Sequence, residues 1–571
     1  MGKNFFGTEK KLKILALLSI SSLFSAFYLI RRGFYEPHDL HHIADIYQMA
    51  RALETGHIPP RWSPDFLFGY GYPLFNFYYV FPFYLGALFF LAGLSLTLSF
   101  KLVFLIAIGL SVIGMYLLLR EFFSEKASIA GSLLFLYTPY RAVQIYVRGA
   151  MGEAFALSLL PIAIWVIVRL IKKPTKKLKI AATLIFACFF LSHNYLWFLS
   201  LPYAGLFIYA VFFKEKDRLK KSLKNIALPL ILSFGLTAYW FIPAVFERKY
   251  IDKLTPFLLE DHFPFIKQLV LPSWGYGSSV WGPGDEISFQ VGIINILVFL
   301  IVVVFLLYRK NFLKGKYLYI ALWGVVGMLL TLFMMNIRSL FVWKLIPIYD
   351  FIQFPWRLLI FTTFITSVLA ALVVDVFKKK GFNFVWLIIV AGSIIATVGY
   401  FRPSAIVMKK DNEYLSRFFA DRTVQGQKDK VSEEYYMYSE DYLLLPNWVP
   451  EKPKSLPETR VVMEKEKGEV VKIKTGTYYT YFEADVLSPS TVITVNTLYF
   501  PGWKAYSNGY ELTTGPSKEG YINLKLEEGS HRVYVQLFDT PVRRVSNIMS
   551  LISLTVLMLW MLDFKKIRRL S

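Results

Sequence analysis

Residues 288–316 read SFQVGIINILVFLIVVVFLLYRKNFLKGK. The first 21 of these carry no charge, and the last eight hold Arg309, Lys310, Lys314 and Lys316. An α-helix needs about 20 apolar residues to cross the hydrocarbon core of a bilayer. Short loops rich in Lys and Arg collect on the cytoplasmic side. The stretch therefore reads as a membrane-crossing helix with a cytoplasmic exit, and the rest of the chain repeats the theme.

Similar runs lie near 14–31, 76–96, 99–119, 127–140, 152–171, 178–194, 195–213, 225–246, 316–335, 355–377, 384–401 and 545–563, which makes thirteen with 288–308. Basic connectors separate them at Lys10–Lys13, Lys172–Lys179, Lys214–Lys224, Arg309–Lys316, Lys378–Lys380 and the tail Lys565–Arg569. With all of these inside, both termini are cytoplasmic and the number of crossings is even. The run at 76–96 follows Gly69-Tyr70-Gly71-Tyr72-Pro73 and is interrupted by Pro82. It is expected to form a juxtamembrane or re-entrant helix on the outer side, leaving about twelve crossings. Arg31 and Arg32, at the outer end of the first run, go against this pattern. All seven histidines fall on the outer side of this layout, four of them in the first outer loop, 32–98.

Composition agrees with a membrane protein. Of 571 residues, 55% are hydrophobic and only 18% charged, against about 25% charged in soluble domains. The net charge of +23 would point to nucleic acid in a soluble chain. Here the basic residues are scattered over short connectors, so no nucleic-acid partner is expected. The single cysteine, Cys188, excludes an internal disulfide or a thiolate cluster. No phosphate-binding glycine loop, dinucleotide fingerprint or HExxH motif is present, and no nucleotide cofactor is expected.

Residues 402–543 are polar and alternate with period two, as in Val470–Lys474, Thr491–Val495 and His531–Val535, between turn signals at Pro501-Gly502, Ser507-Asn508-Gly509 and Glu528-Gly529. Through Arg544 this segment holds 20 basic and 20 acidic residues. An extracytoplasmic antiparallel β-sandwich is expected, mainly over 458–540, with a short helix near 411–420. The domain organisation read from the chain is a transmembrane domain over 1–401, the mostly β domain over 402–543, and a last crossing with a basic tail over 544–571.

Glu36-Pro37-His38-Asp39-Leu40-His41-His42 is the densest polar cluster in the first outer loop. Asp39 reads either as the N-cap of an amphipathic interfacial helix from Leu40 to Thr55, or as a partly desolvated carboxylate with a raised pKa that acts as a general base. His38 and His42 would share a helical face, and His38, Asp39 and His42 are candidate ligands of a divalent metal. Tyr140-Arg141 and Arg148-Gly149-Ala150-Met151-Gly152-Glu153 join two crossings on the outer side. Arg148 and Glu153 read either as a mutual salt bridge or as phosphate-binding and acidic groups. Arg357, in Phe354-Pro355-Trp356-Arg357, either snorkels to the headgroups or holds a lipid phosphate. Ser192-His193-Asn194 offers an imidazole on the same side.

The run His38–His42, then Arg61-Trp62-Ser63-Pro64-Asp65 and Gly69–Tyr78, resembles the membrane proteins named for a 6-pyruvoyl-tetrahydropterin synthase-related domain. Tyr140-Arg141, Arg148-Gly149, Ser192-His193-Asn194, Ala238-Tyr239-Trp240-Phe241-Ile242-Pro243, Phe354-Pro355-Trp356-Arg357 and Tyr499–Trp503 fit the same pattern in the same order. The architecture is similar to GT-C glycosyltransferases, polytopic enzymes with an acidic residue in the first outer loop. The resemblance places Asp39 at that acid and Glu153 at a second acidic motif, here a lone Glu and not a DxD-like pair.

The resemblance implies a membrane glycosyltransferase of the cell envelope. It would move a sugar from a polyprenyl-phosphate donor to an extracytoplasmic glycan, lipid or protein. Asp39 would be the catalytic residue, with His38, His42, Arg61, Tyr72, Arg141, Arg148, Glu153, His193 and Arg357 binding substrate. The aromatic run Tyr70–Tyr84 would line a groove for lipid or sugar. The alternative is a non-enzymatic transporter or scaffold for a lipid-linked glycan, which would use the same arginines without chemistry.

Overall fold

The computed structural model describes residues 8–251, 258–308, 312–419 and 445–562. The basic tail Lys565–Arg569 and the pair Arg309-Lys310 lie outside the described residues.

The N-terminal part is helical. Helix α1 (Thr8–Ile30) leads into a long loop, which carries α2 (His42–Glu54), the single turn α3 (Leu74–Phe77) and α4 (Phe81–Leu91). Then come α5 (Leu96–Arg120), α6 (Glu125–Leu136), a short α7 (Pro139–Ala142) that runs into a π-helical turn at Val143–Arg148, α8 (Met151–Lys172), α9 (Lys176–Ser192), α10 (Leu196–Val211) and α11 (Lys216–Phe246). After α12 (Ile266–Val270) follow α13 (Ile293–Tyr308), α14 (Lys316–Met334), the turn α15 (Leu340–Trp343), α16 (Leu359–Lys378), α17 (Val385–Thr397), the turn α18 (Asp411–Leu415) and, beyond the β domain, α19 (Pro541–Met561).

Among the described residues seven helical segments are long and apolar enough to cross a membrane: those of α1, α5, α8, α11, α14, α16 and α19. Charge alternation calls for five more crossings, by α6, α9, α10, α13 and α17. These helices have only 12 to 17 residues, short of the length of a full crossing. The run 76–96 does not form one helix. Tyr78 is extended, and α4, with Pro82 in its first turn, has 11 residues. That is about 16 Å, roughly half of a hydrocarbon core.

Helix α16 is the axis of the bundle, with its whole apolar window buried. Small residues let its neighbours come close, since a Cβ on Gly131 of α6 would sit 2.6 Å from the Ser367 carbonyl oxygen and one on Gly324 of α14 2.5 Å from Leu369. Gly114 of α5 likewise receives Ile162 of α8, and Gly235 of α11 receives Ser553 of α19. At one end of the bundle, basic side chains satisfy helix-terminal groups. Lys172 binds Glu121, Lys316 donates to the Phe122 carbonyl, and Arg218 donates to the carbonyls of Ile171 and Lys172.

The β region holds two antiparallel sheets: β1 (Val461–Met463), β4 (Thr491–Leu498), β8 (Tyr521–Leu526) and β7 (Gly515–Pro516) in that spatial order, and β2 (Gly468–Thr475), β3 (Tyr479–Val486), β9 (Gly529–Leu537), β5 (Trp503–Ser507) and β6 (Tyr510–Leu512) in the second. The expected strands fall in β2, β4 and β9. Asn508 and Gly509, both with positive φ, form the two-residue turn between β5 and β6, as the right-handed strand twist favours.

Aromatic residues fasten the loop between α1 and α5 to this domain. Tyr70 stacks on Tyr521 at 4.6 Å, Trp62 meets Trp503 edge-on at 5.3 Å, and Phe77 meets Phe500 at 6.0 Å. Beneath them Glu247, at the end of α11, accepts from Asn76, Thr540 and Arg543, while Arg61 donates to Asn76 and Asn547. Arg61, Asn76, Glu247 and Arg543 are all buried, so the network joins loop, α11 and α19 away from water.

Candidate active site

The π-helical turn is the platform of the site. Its terminal Gly149 has φ +66, and a Cβ there would lie 2.6 Å from the Pro37 ring. Both facts require glycine. Against this surface the His38 and Asp39 amides donate to the carbonyls of Val147 and Arg148, at 3.0 and 2.8 Å. Tyr35 of the loop donates to the Ile145 carbonyl at 2.9 Å, and Tyr146 of the turn reaches back to the Ser25 carbonyl of α1 at 2.6 Å. Backbone pairing, not a helix, thus fixes Asp39.

The Asp39 carboxylate lies 3.8 Å from Arg148 Nη2. Arg148 Nη1 lies 2.6 Å from Glu153 Oε1, and Arg357 Nε lies 2.7 Å from the same oxygen. Tyr140 donates to the other Glu153 oxygen at 2.8 Å, and Arg357 donates to the Tyr195 hydroxyl. The Trp356 ring lies under the Arg148 guanidinium at 4.9 Å. Glu153, Arg148 and Arg357 are 2%, 7% and 12% exposed at their side chains, whereas Asp39 is 27% exposed. Asp39 is therefore the member of the group that faces outward. Glu153 starts α8, His193 follows α9 and Arg357 precedes α16. The three residues share one end of the bundle, with Asp39 beside them.

His193 stacks parallel to Tyr79 at 5.7 Å. The Tyr79 hydroxyl donates to His42 Nε2 at 2.9 Å and accepts from the Gly152 amide at 3.2 Å. A Cβ on Gly152 would come within 2.5 Å of the Tyr79 ring. His42 Nδ1–H donates to the Gly149 carbonyl at 3.0 Å, which fixes its tautomer. Burial, together with the neighbouring His41, drives the His42 pKa down to about 3.

Several expectations need correction. Helix α2 begins at His42, and its N-cap position is His41 with no capping side chain. Asp39 is in the turn before it and is not the N-cap, and His38 does not share a helical face with His42. His38 is exposed and donates from Nε2 to the Tyr276 carbonyl at 2.8 Å. The Asp39 pKa is lowered, not raised. Burial pushes it up, but the Arg148 guanidinium and the imidazoles of His42, His41 and His38 more than offset that. Arg141 is fully buried and donates to the Ala154 carbonyl and Ser158 Oγ of α8, and it forms no ion pair among the described residues. Arg61 belongs to the Glu247 network. Tyr72 is buried and pairs with Ser63 across a β-bridge. Of the aromatic run, Tyr70, Tyr72, Phe75, Phe77, Tyr79 and Phe83 are buried in packing.

The residues brought together are Asp39, His42, Arg148, Glu153, His193 and Arg357. Tyr79, Tyr140, Tyr195 and Trp356 complete the group without having been singled out from the sequence. Tyr195 follows Ser192-His193-Asn194 and Trp356 precedes Arg357, so adjacency to a marked motif was the available signal.

An uncharacterized protein of Lactococcus lactis subsp. cremoris (strain MG1363) is 22% identical over 334 residues, 57% of this chain and 53% of that protein. The chain thus spans about half the length of the curated relative it matches. Among solved structures, the Archaeoglobus fulgidus oligosaccharyltransferase, crystallised with zinc and sulfate, is 15% identical over 78% of this chain and 59% of that one, at a TM-score of 0.44. ArnT from Cupriavidus metallidurans, bound to undecaprenyl phosphate, is 14% identical over 72% of this chain and 69% of that one, at 0.39. Both scores lie below one half, and nothing about activity follows from them. The family model described as "6-pyruvoyl-tetrahydropterin synthase related domain; membrane protein" matches residues 75–404, more than half of the chain and all of the site except the loop that carries Asp39 and His42. The chain belongs to that family of membrane proteins.

Proposed function

We propose that this protein is a membrane glycosyltransferase that uses a sugar carried on a polyprenyl phosphate. The observation that carries the reading is the convergence of an outward-facing carboxylate, Asp39, with two guanidiniums that share one buried carboxylate oxygen. With Asp39 ionised, the two guanidiniums and two carboxylates balance, and once Asp39 takes up a proton Arg148 and Arg357 outweigh Glu153 by one positive charge, which suits a departing phosphate. In the reaction Asp39 accepts the proton of an acceptor hydroxyl. The acceptor oxygen bonds to the anomeric carbon, and the lipid phosphate leaves with the electron pair of the broken C–O bond. Arg148 and Arg357 stabilise its charge. The lowered Asp39 pKa keeps the base ionised at neutral pH. His193 and Tyr79 form a stacked wall beside Glu153.

In this reading the site and the 402–543 domain are extracytoplasmic and both termini are cytoplasmic. The grouping of Glu153, His193 and Arg357 at one bundle end, with Lys172 at the far end of α8 and Arg218 and Lys316 in the first turns of α11 and α14, supports that orientation. The acceptor is a glycan, lipid or protein on that side.

The test is transfer from a lipid-phosphate sugar in membranes that hold Asp39→Asn at wild-type abundance. Loss of at least about a hundredfold is expected for a positioned base. Turnover at the wild-type rate would sink the proposal. Undiminished lipid delivery without transfer would favour a carrier.

A further inference from the structure

One turn behind the active-site loop, Asp45 of α2 is completely buried and neither carboxylate oxygen accepts a hydrogen bond among the described residues. A buried carboxyl without a hydrogen bond is costly in either protonation state, and a bound cation is one of the ways to satisfy it. Two imidazoles face it. His41 Nε2 lies 3.8 Å from Asp45 Oδ2 at i, i+4 spacing, and the His41 and His42 rings are 4.4 Å apart between centroids. One donor atom from each of His41, His42 and Asp45 lies within 4.8 Å of the others.

His42 is already oriented as metal-bound imidazoles are. Its Nδ1–H donates to the Gly149 carbonyl, which makes Nε2 the acceptor nitrogen, here facing the hydroxyls of Tyr79 at 2.9 Å and Tyr78 at 3.4 Å. We propose that His41, His42 and Asp45 form a site for a divalent transition-metal ion, distinct from the Asp39–Arg148–Glu153–Arg357 group. Two nitrogens and one carboxylate oxygen suit zinc or a similar borderline ion better than Mg²⁺ or Ca²⁺, which prefer all-oxygen shells. Three protein ligands leave one position of a tetrahedron open. Tetrahedral ligands sit about 3.3 Å apart at zinc–nitrogen distances of about 2.0–2.1 Å. The set therefore has to close by about 1.5 Å, and His41, 18% exposed at its side chain, has room to turn. On loading, the Tyr79 and Tyr78 hydroxyls both give up Nε2, and Tyr79 keeps the bond from the Gly152 amide.

The test uses full-length protein without a histidine tag, stripped with a chelator in detergent and titrated with Co²⁺ or Zn²⁺ alone. Expected are one equivalent per chain, visible Co²⁺ bands of a tetrahedral nitrogen–oxygen site, and an affinity lower by at least about tenfold in Asp45→Asn. His41→Gln, at a partly exposed side chain, should show the same loss, and His38→Gln should bind as wild type. Binding well below one equivalent in the wild type, or unchanged affinity in both Asp45→Asn and His41→Gln, would overturn the proposal. No lipid or sugar enters the measurement, so its outcome is separate from that of the glycosyl-transfer reading.

Discussion

Glu153→Gln isolates what holds the arginine pair together. Arg148 Nη1 and Arg357 Nε both contact Glu153 Oε1, at 2.6 and 2.7 Å, so the two nitrogens are no more than about 5.3 Å apart. With an effective dielectric constant of about 20, two unit charges at that separation repel by roughly 3 kcal/mol. Glutamine keeps the shape and removes the compensating charge. Loss of one partner from a buried ion pair typically costs about 3–5 kcal/mol. Asp39, at 3.8 Å from Arg148, recovers only part of this because it is the most exposed of the four. The thermal unfolding midpoint of the detergent-solubilised variant should fall by a few degrees, on the order of what such a free-energy loss produces in a large chain. The same variant should gain more stability from added inorganic phosphate or sulfate than wild type does, because two guanidiniums then lack their anion. A midpoint unchanged within error, together with equal anion stabilisation of both proteins, would refute the electrostatic account.

Two further perturbations probe the frame around the site. Gly149→Ala should destabilise the protein by about 1–3 kcal/mol, because alanine is strained at φ +66 and its Cβ would meet Pro37 at 2.6 Å. Gly93→Ala, at φ +92 with nothing within 4 Å, should show only the backbone part, and thermal unfolding of the two variants separates the terms. Transfer activity should fall further in Gly149→Ala than in Gly93→Ala, because Pro37 precedes Asp39 by two residues. His57, stacked on Tyr478 at 4.7 Å, has its pKa driven down to about 3 by burial and then by Arg61 and Arg543. The unfolded chain takes up this proton below about pH 6.5 and the folded chain only near pH 3. Stability is therefore lost as pH falls through that window, by up to about 1.4 kcal/mol per unit. Unfolding midpoints measured from pH 7 to 4 should decline less steeply in His57→Gln, and parallel curves would refute the assignment.

Long periodic features were readable in the chain. The apolar runs became helices with nearly the expected bounds, and the alternation at Val470–Lys474, Thr491–Val495 and His531–Val535 became β2, β4 and β9. The break in 76–96 was legible through Pro82. Asp39 was singled out for the wrong local structure. Helical spacing placed it at an N-cap, whereas its position comes from amides paired to Val147 and Arg148, more than 100 residues away. Arg61 and Arg141 looked like Arg148 in sequence, because an outer-loop guanidinium has one appearance until its partners are known. Their partners, Asn547 for Arg61 and Ser158 for Arg141, are set by packing that no local pattern encodes. Asp45 was missed because a lone acid four residues after a histidine is ordinary on an exposed helix, and only burial makes it unusual.

The bond between Arg61 and Asn547 spans 486 residues. A ribosome finishes the first outer loop long before it makes α19, so Arg61 and Glu247 wait through most of synthesis without the last helix that satisfies them. The part of the loop around Arg61 and Asn76 therefore gains its last partner only when α19 is made, whereas the Asp39 segment has its own partners in Val147 and Arg148 much earlier. The two ends of the chain are thus tied by a buried network that closes last, behind a cluster whose own contacts all lie between residues 35 and 357.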